Sequence, residues 1–168
     1  MSSVFKSMKC KGLAAVAAGA VGLAAAIPAA AADTATVTVN ATVIGVCKFD
    51  TSSATVTVTN GGAGSTIDPS LTGNATGTAT LDYRCSNGTT PGFATTPASP
   101  TTVVCSTAGT CGTDTMPVSV SFSGAATGSG MGSGQVKQVT VTGTILQADY
   151  VNAKVGSYTR SLTVNLTP

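Results

Sequence analysis

The chain of 168 residues contains no histidine, no tryptophan and no glutamate, and charged residues make up only 8% of it. Histidine is the usual general base and the commonest metal ligand, and the only side-chain carboxylates are those of six aspartates. A serine or aspartate nucleophile therefore has no histidine beside it to activate it. We expect no enzyme activity, no catalytic residue, no metal site and no cofactor.

The N-terminal residues have the composition of an export signal. Three lysines precede an apolar stretch from Leu13 to Ile27, and small residues follow as far as Ala32. A positive region, a short apolar region and a small-residue cleavage site, in this order, are typical of a secretory signal peptide. We predict a signal peptide over residues 1–32, cleaved after Ala32, and a soluble, exported mature protein.

Removing the signal changes the charge and the length of the chain. The remaining 136 residues carry five cations against six aspartates, a net charge of −1. This leaves no basic surface for nucleic acid, and the length suits a single domain. Threonine, serine, glycine, valine and alanine dominate, which favours β-structure.

The predicted mature chain opens with an alternating segment, Thr34 to Val43. One face of an extended strand would carry threonine and asparagine, and the other would carry Ala35, Val37, Val39, Ala41 and Val43. No turn or upstream strand supplies a local partner, so the segment must join a sheet edge of its own domain or of a neighbour. We call residues 33–43 the arm and residues 44–168 the domain.

Short strands separated by turn signals are predicted throughout the domain. Asn60-Gly61-Gly62 and Asn87-Gly88 mark turns, and a glycine- and serine-rich stretch over 123–134 is interpreted as a mobile connection. Predicted strands cover residues 43–49, 54–59, 77–85, 118–122, 136–145 and 158–166. With six or seven strands and no helices, we predict an all-β fold, an antiparallel β-sandwich.

Side chains at inward positions of these strands are expected to form the core. In the strand over 136–145 these are Val139, Val141, Gly143 and Ile145. Tyr83 and Tyr158 are in step with inward positions and should supply much of the aromatic core.

Four cysteines remain after the signal, an even number in an exported chain. Counting alone allows three pairings. We favour Cys47–Cys85 together with Cys105–Cys111, because the second pair brackets a loop of hairpin size. There is no Cys-x-x-Cys spacing and no histidine, which argues against a metal or redox site.

Several motifs together resemble the spore coat protein U domain family, which includes the Csu-type pilins of archaic chaperone-usher pili. The resemblance covers nearly the whole mature chain. It is carried by the N-terminal arm, Cys47, the run Leu81-Asp-Tyr83-Arg-Cys85-Ser-Asn87-Gly88, the run Val141-Thr-Gly143-Thr-Ile145-Leu-Gln147, and Gly156-Ser-Tyr158.

The resemblance implies an incomplete immunoglobulin-like sandwich that lacks its final strand, and the sequence ends soon after Leu166. A hydrophobic groove would then receive the arm of the next subunit, with Ala35, Val37, Val39, Ala41 and Val43 as donor residues. The implied protein is a structural pilus subunit on the cell surface. Its partners would be copies of itself or related pilins, a periplasmic chaperone and an outer-membrane usher.

A second hypothesis stays open at this point. The arm could complete the sheet of its own domain, which would give a self-complemented extracellular β-sandwich acting as a binding or coat module. Polymers held together by exchanged arms, seen as a ladder in detergent gels that boiling destroys, would distinguish the pilus subunit from this module.

Overall fold

A computed structural model describes residues 34–106 and 110–168; the predicted signal peptide lies outside the described residues. The chain divides into two units, Met1–Asn40 and Ala41–Pro168. In the first unit, residues 34–40 are exposed and have no regular secondary structure. The second unit is an all-β fold in which every paired strand is antiparallel.

The described residues form eight strands and two short helices. A 3-10 turn spans Ser133–Gln135, and helix α1 spans Gln147–Tyr150. The strands are β1 (Cys47–Phe49), β2 (Ala75–Cys85), β3 (Gly92–Thr96), β4 (Thr101–Cys105), β5 (Thr115–Ser123), β6 (Lys137–Ile145), β7 (Tyr158–Thr159) and β8 (Thr163–Thr167). Six of them form one sheet in the order β1-β2-β6-β5-β4-β7, and β3 pairs with β8 in a second sheet.

Strands β2 and β6 form the centre of the six-stranded sheet. They pair over nine positions, from Ala75 opposite Ile145 to Tyr83 opposite Lys137. Both sequences alternate, so apolar side chains lie on one face, called the inner face here, while threonines occupy the other. The inward positions predicted for β6 are confirmed, because Val139, Val141, Gly143 and Ile145 are all buried.

The core consists of two apolar clusters along the inner face. At one end Tyr150 packs with residues of β2, β5 and β6. At the other end Phe93, Val164 and Leu166 of the second sheet pack against a cluster that contains Tyr83. The ring of Phe93 lies 5.2 Å from the ring of Tyr83 and 5.6 Å from that of Phe122.

The predicted strand over 43–49 is shorter in the structure, where only Cys47–Phe49 form β1. Two further predicted strands also differ from the structure. Between residues 54 and 59 only Thr59 is paired, by an isolated bridge to Thr76. The predicted strand over 158–166 is two short strands, because the chain leaves β4 after Thr159 and joins β3 from Thr163 onward. In both segments the alternation is present, but no neighbouring strand lies within hydrogen-bonding reach of the whole segment.

The predicted mobile connection over 123–134 is held in place by hydrogen bonds. The hydroxyl of Tyr83 donates to the carbonyl of Ala126 (2.8 Å) and accepts from its N–H (2.7 Å). Gly128 pairs with Gly88 and Thr89 through its backbone. A Cβ on Gly128 would lie 2.6 Å from that of Cys85, so only glycine allows this close approach. The prediction of no helices is also wrong, since α1 follows β6.

Both favoured disulfides are formed. Cys47–Cys85 joins β1 to β2 at positions that are opposite each other in the ladder, and Cys105–Cys111 closes a loop after β4. The first bridge fixes the start of the domain to its central strand pair.

Candidate functional site

A groove of about 1160 Å³ lies over the inner face of the six-stranded sheet. Its floor consists of apolar side chains from four neighbouring strands, β2, β6, β5 and β4, and it reaches both core clusters. Small-molecule pockets usually have volumes of about 300–1,000 Å³. A groove this large, extended along the strands, suits a segment of polypeptide better than a compact ligand. The floor includes Leu81, Val141, Ile145, Val118 and Val103.

Two segments of the chain border the groove. The first wall, residues 52–58, lies over β2 and β6, where Thr57 approaches Gly77, and Val56 approaches Gly143. The second wall, residues 157–164, runs from β7, which pairs with β4, to β8. Since β5 lies between β6 and β4, the walls stand on opposite sides of it.

Each wall contains a stretch whose backbone has no hydrogen-bond partner among the described residues. In the described part of the chain, neither residues 52–58 nor residues 160–162 make any backbone hydrogen bond, and neither stretch is assigned to a strand. The first wall is anchored only at its ends: Thr51 donates to the carbonyl of Asp82, and Thr59 pairs with Thr76. Free N–H and C=O groups along an extended segment are a template for another strand.

The first wall also has the side-chain pattern of a strand. Val56 and Val58 are half-buried and belong to the core clusters, while the residues between and before them are exposed. This wall therefore has one apolar side facing the floor and free backbone groups along its edge.

Charge in the groove is sparse and of one sign. Among the described residues that line it, Lys154 and Arg160, both in or next to the second wall, are the only charged ones. The rest are apolar or carry hydroxyl groups. An uncharged, apolar and threonine-rich segment could enter a groove of this composition, because neither the segment nor the lining would contribute a carboxylate that is buried without a partner.

A polar network includes two residues that line the groove, Lys154 and Tyr158. The hydroxyl of Tyr158 lies 3.0 Å from Oδ2 of Asp114 and 2.8 Å from the carbonyl of Lys154. The backbone N–H of Lys154 also donates to Asp114, and together with the Tyr158 hydroxyl it lowers the pKa of that carboxyl group. Burial, with Asp114 beside it, raises the pKa of Tyr158.

Tyr150 also lines the groove and belongs to the core cluster that contains Ile145. Its ring is buried, and its hydroxyl bonds to the carbonyl of Gly73 and accepts from Nδ2 of Asn60 (3.0 Å). The alternating pattern of β6 ends before Tyr150, so the sequence pattern does not place Tyr150 in the core. Tyr83 is buried as expected, whereas Tyr158 is only half-buried.

The structure leaves the predicted donor residues exposed. Ala35, Val37 and Val39 lie in the first unit, and Ala41 and Val43 lie in the second. Val37, Val39 and Val43 are 81%, 85% and 89% exposed, and Ile44 is 71% exposed. A run of apolar side chains with this exposure is typical of a surface that contacts another molecule.

The sequence pattern of the two walls does not distinguish them from ordinary paired strands. Alternation predicts strands over both walls. An extended segment that buries one face shows this alternation whether or not its backbone is paired with another strand. The signal that could have identified them is the pair of interior glycines, Gly77 and Gly143, since a glycine inside a strand indicates a close approach by another segment.

Comparison with protein-family models, with curated proteins and with solved structures found no match to the chain. Over the described ranges, no helix is long and apolar enough to cross a membrane. Within the same ranges, no group of three or more potential ligand side chains could hold a metal ion.

Proposed function

We propose that this protein is a structural subunit of a chaperone-usher-type surface pilus. The arm of one subunit fills the groove of the next, and the contact repeats from head to tail. The finer fold that goes with this function is an incomplete immunoglobulin-like sandwich whose final strand comes from a neighbour. A signal peptide over residues 1–32 would direct export through the periplasm, where a chaperone and an usher act before the subunit reaches the cell surface.

One observation carries the proposal: an apolar groove is bordered by residues 52–58 and 160–162, which make no backbone hydrogen bond in the described part of the chain, and the chain also carries an exposed, alternating arm. An inserted strand would satisfy both needs at once. Its backbone would pair with the walls, and its apolar side chains would cover the floor.

The dimensions of the arm and the groove agree. The seven residues of the first wall span roughly 23 Å when extended, and the ten residues from Thr34 to Val43 span roughly 33 Å. Seven residues of the arm, such as 35–41, therefore match the wall. Four of them would face the floor, namely Ala35, Val37, Val39 and Ala41.

The apolar contacts are large enough to hold subunits together. Burying one valine side chain contributes about 1.5–3 kcal/mol, and each ladder hydrogen bond adds about 0.5–1.5 kcal/mol. The arm is uncharged from Thr34 to Val43, so its insertion leaves no carboxylate or ammonium group unpaired. The same exposed groove on a free subunit invites aggregation, which is the reason a chaperone is needed.

A charge on the inward face of the arm tests the proposal. The full chain with Val39→Asp, expressed with its chaperone and usher, should lose at least about 100-fold in fibre yield. A carboxylate buried on the groove floor without a partner costs more than about 3 kcal/mol. Fibres are counted by electron microscopy and by the ladder of unboiled samples in detergent gels. Thr38→Asp is the matched control, because it puts the same charge on the outward face of the same strand.

The two variants also separate the pilus subunit from a self-complemented module. If the arm fills the groove of its own domain, the wild-type chain stays monomeric, and Val39→Asp lowers the melting temperature of that monomer. If the arm fills a neighbour's groove, the Val39→Asp monomer keeps the melting temperature of the Thr38→Asp monomer. Equal fibre yields from wild type and Val39→Asp would refute insertion of this face.

A further inference from the structure

Two glycines lie opposite each other in the middle of the longest strand pair, Gly77 in β2 and Gly143 in β6. A glycine inside a strand weakens a sheet, because it packs no side chain and loses more conformational entropy than other residues. Neither of these glycines has a positive φ, so the backbone conformation does not require glycine at either position. The remaining reason for glycine at these two positions is the close approach of another segment of the chain.

The first wall is that segment. A Cβ on Gly77 would overlap the carbonyl group of Thr57 and lie 3.0 Å from the backbone nitrogen of Val58. A Cβ on Gly143 would lie 3.1 Å from a methyl group of Val56 and 3.4 Å from one of Val58. Gly77 thus makes room for the backbone of the wall, and Gly143 makes room for its side chains.

We propose that Gly77 and Gly143 form a seat that positions the first wall for pairing with the inserted arm. This inference rests on the proposed function. Between Thr51 and Thr59 the wall has no ladder of its own, so its distance from the floor depends on this packing. Paired strands lie about 4.8 Å apart. An added methyl group would move the wall away from the sheet, so that its N–H and C=O groups would no longer lie within hydrogen-bonding distance of the inserted arm.

The consequence is that the two glycines are positioning residues, which act on the inserted arm through the first wall. The effect of replacing each glycine by alanine should increase with how closely the added methyl group approaches the first wall. Gly77→Ala meets backbone, which cannot turn away, whereas Gly143→Ala meets the ends of side chains, which can adjust. Gly134 has nothing within 4 Å of an added Cβ, and it supplies a matched glycine-to-alanine control.

The test compares the three alanine variants in the full chain with two measurements. The first is contact of the wall with its seat in the monomer, read as nuclear Overhauser effects between the methyl groups of Val56 and Val58 and the protons of residue 143. The second is fibre yield with chaperone and usher. Gly77→Ala should weaken the contacts and lower fibre yield about tenfold or more, Gly143→Ala should do so less, and Gly134→Ala should match wild type.

Wild-type contacts and wild-type fibre yield in Gly77→Ala would overturn the inference, and so would lost contacts with normal fibre yield. If Gly77→Ala does not fold, Gly143→Ala decides by the same criteria. Where wild type assembles, the monomer measurement uses the Val39→Asp background. Absence of fibres from wild type would refute the proposed function, while the contacts in the monomer still test the seat.

Discussion

At the scale of single residues, the hydroxyl of Tyr83 joins the core to the glycine- and serine-rich connection between β5 and β6. The ring lies in the apolar cluster against Phe93, while the hydroxyl makes two hydrogen bonds to the backbone of Ala126. One inward side chain of β2 therefore orders a glycine- and serine-rich stretch whose composition indicates flexibility.

Removing that hydroxyl should loosen the connection and spare the core. Tyr83→Phe keeps the ring but leaves the N–H and C=O of Ala126 to water, so we expect a loss of about 1 kcal/mol in the free energy of unfolding. Urea titration measures it, and hydrogen exchange should show faster exchange at the amides of Gly128 and Gly130. Unchanged exchange at both amides would contradict the role given to Tyr83.

At the scale of elements, β6 and the first wall show what alternation does and does not determine. Both alternate valine with threonine, and both place their valines toward the floor. Strand β6 pairs with β2 along its whole length and with β5 from Thr140 to Thr144. The first wall has the same alternation but no neighbouring strand, and a hydrogen-bonded ladder forms only where a neighbouring strand is present.

The link between β1 and β2 gives a prediction at this scale. Replacing Cys47 and Cys85 by alanine opens a loop of 38 residues, which should cost about 4 kcal/mol in the free energy of unfolding. The same double replacement at Cys105 and Cys111 opens a separation of only 6 residues and should cost about 2 kcal/mol. Chemical denaturation of the two double variants measures the difference. A larger loss from the shorter loop would contradict the loop-entropy account.

At the scale of the whole molecule, the sequence contains no histidine and no glutamate, so the aspartates are the side chains that determine how the stability of the fold changes at acid pH. Hydrogen bonds from Arg84, from Ser70 and from Lys154 with Tyr158 lower the pKa values of Asp50, Asp68 and Asp114 respectively. A carboxyl group with a lowered folded-state pKa stabilises the fold above its unfolded-state pKa of about 3.9. That contribution is lost as pH falls from there through the folded-state values.

We therefore expect a flat melting temperature between pH 5 and pH 7, followed by a fall below about pH 4. Asp114→Asn should make this fall shallower, because one group with a lowered pKa is removed. Asp149→Asn is the matched control, since Asp149 makes no side-chain hydrogen bond within the described residues. Thermal unfolding by circular dichroism measures both. An acid response in Asp114→Asn as steep as in wild type would contradict the assignment.

The extent to which the sequence predicts this molecule depends on how local each feature is. Strands β2 and β6, the all-β class and both disulfides follow from alternation, turn residues and cysteine spacing. The break after Thr159 and the packing of 52–58 on glycines depend on where distant strands lie. The groove was expected through the resemblance to pilins, whereas its walls emerge only when β4, β5 and β6 are placed side by side.

The open groove between the two walls has a consequence for how a fibre would come apart. Under the proposed function, each interior subunit is stabilised by the arm that it receives, as a protein is by a bound ligand, whereas the subunit at one end receives none. That last subunit is the least stable in the fibre. Unfolding should therefore start at the vacant end and advance one subunit at a time, which makes the lifetime of a fibre depend on what caps its vacant end.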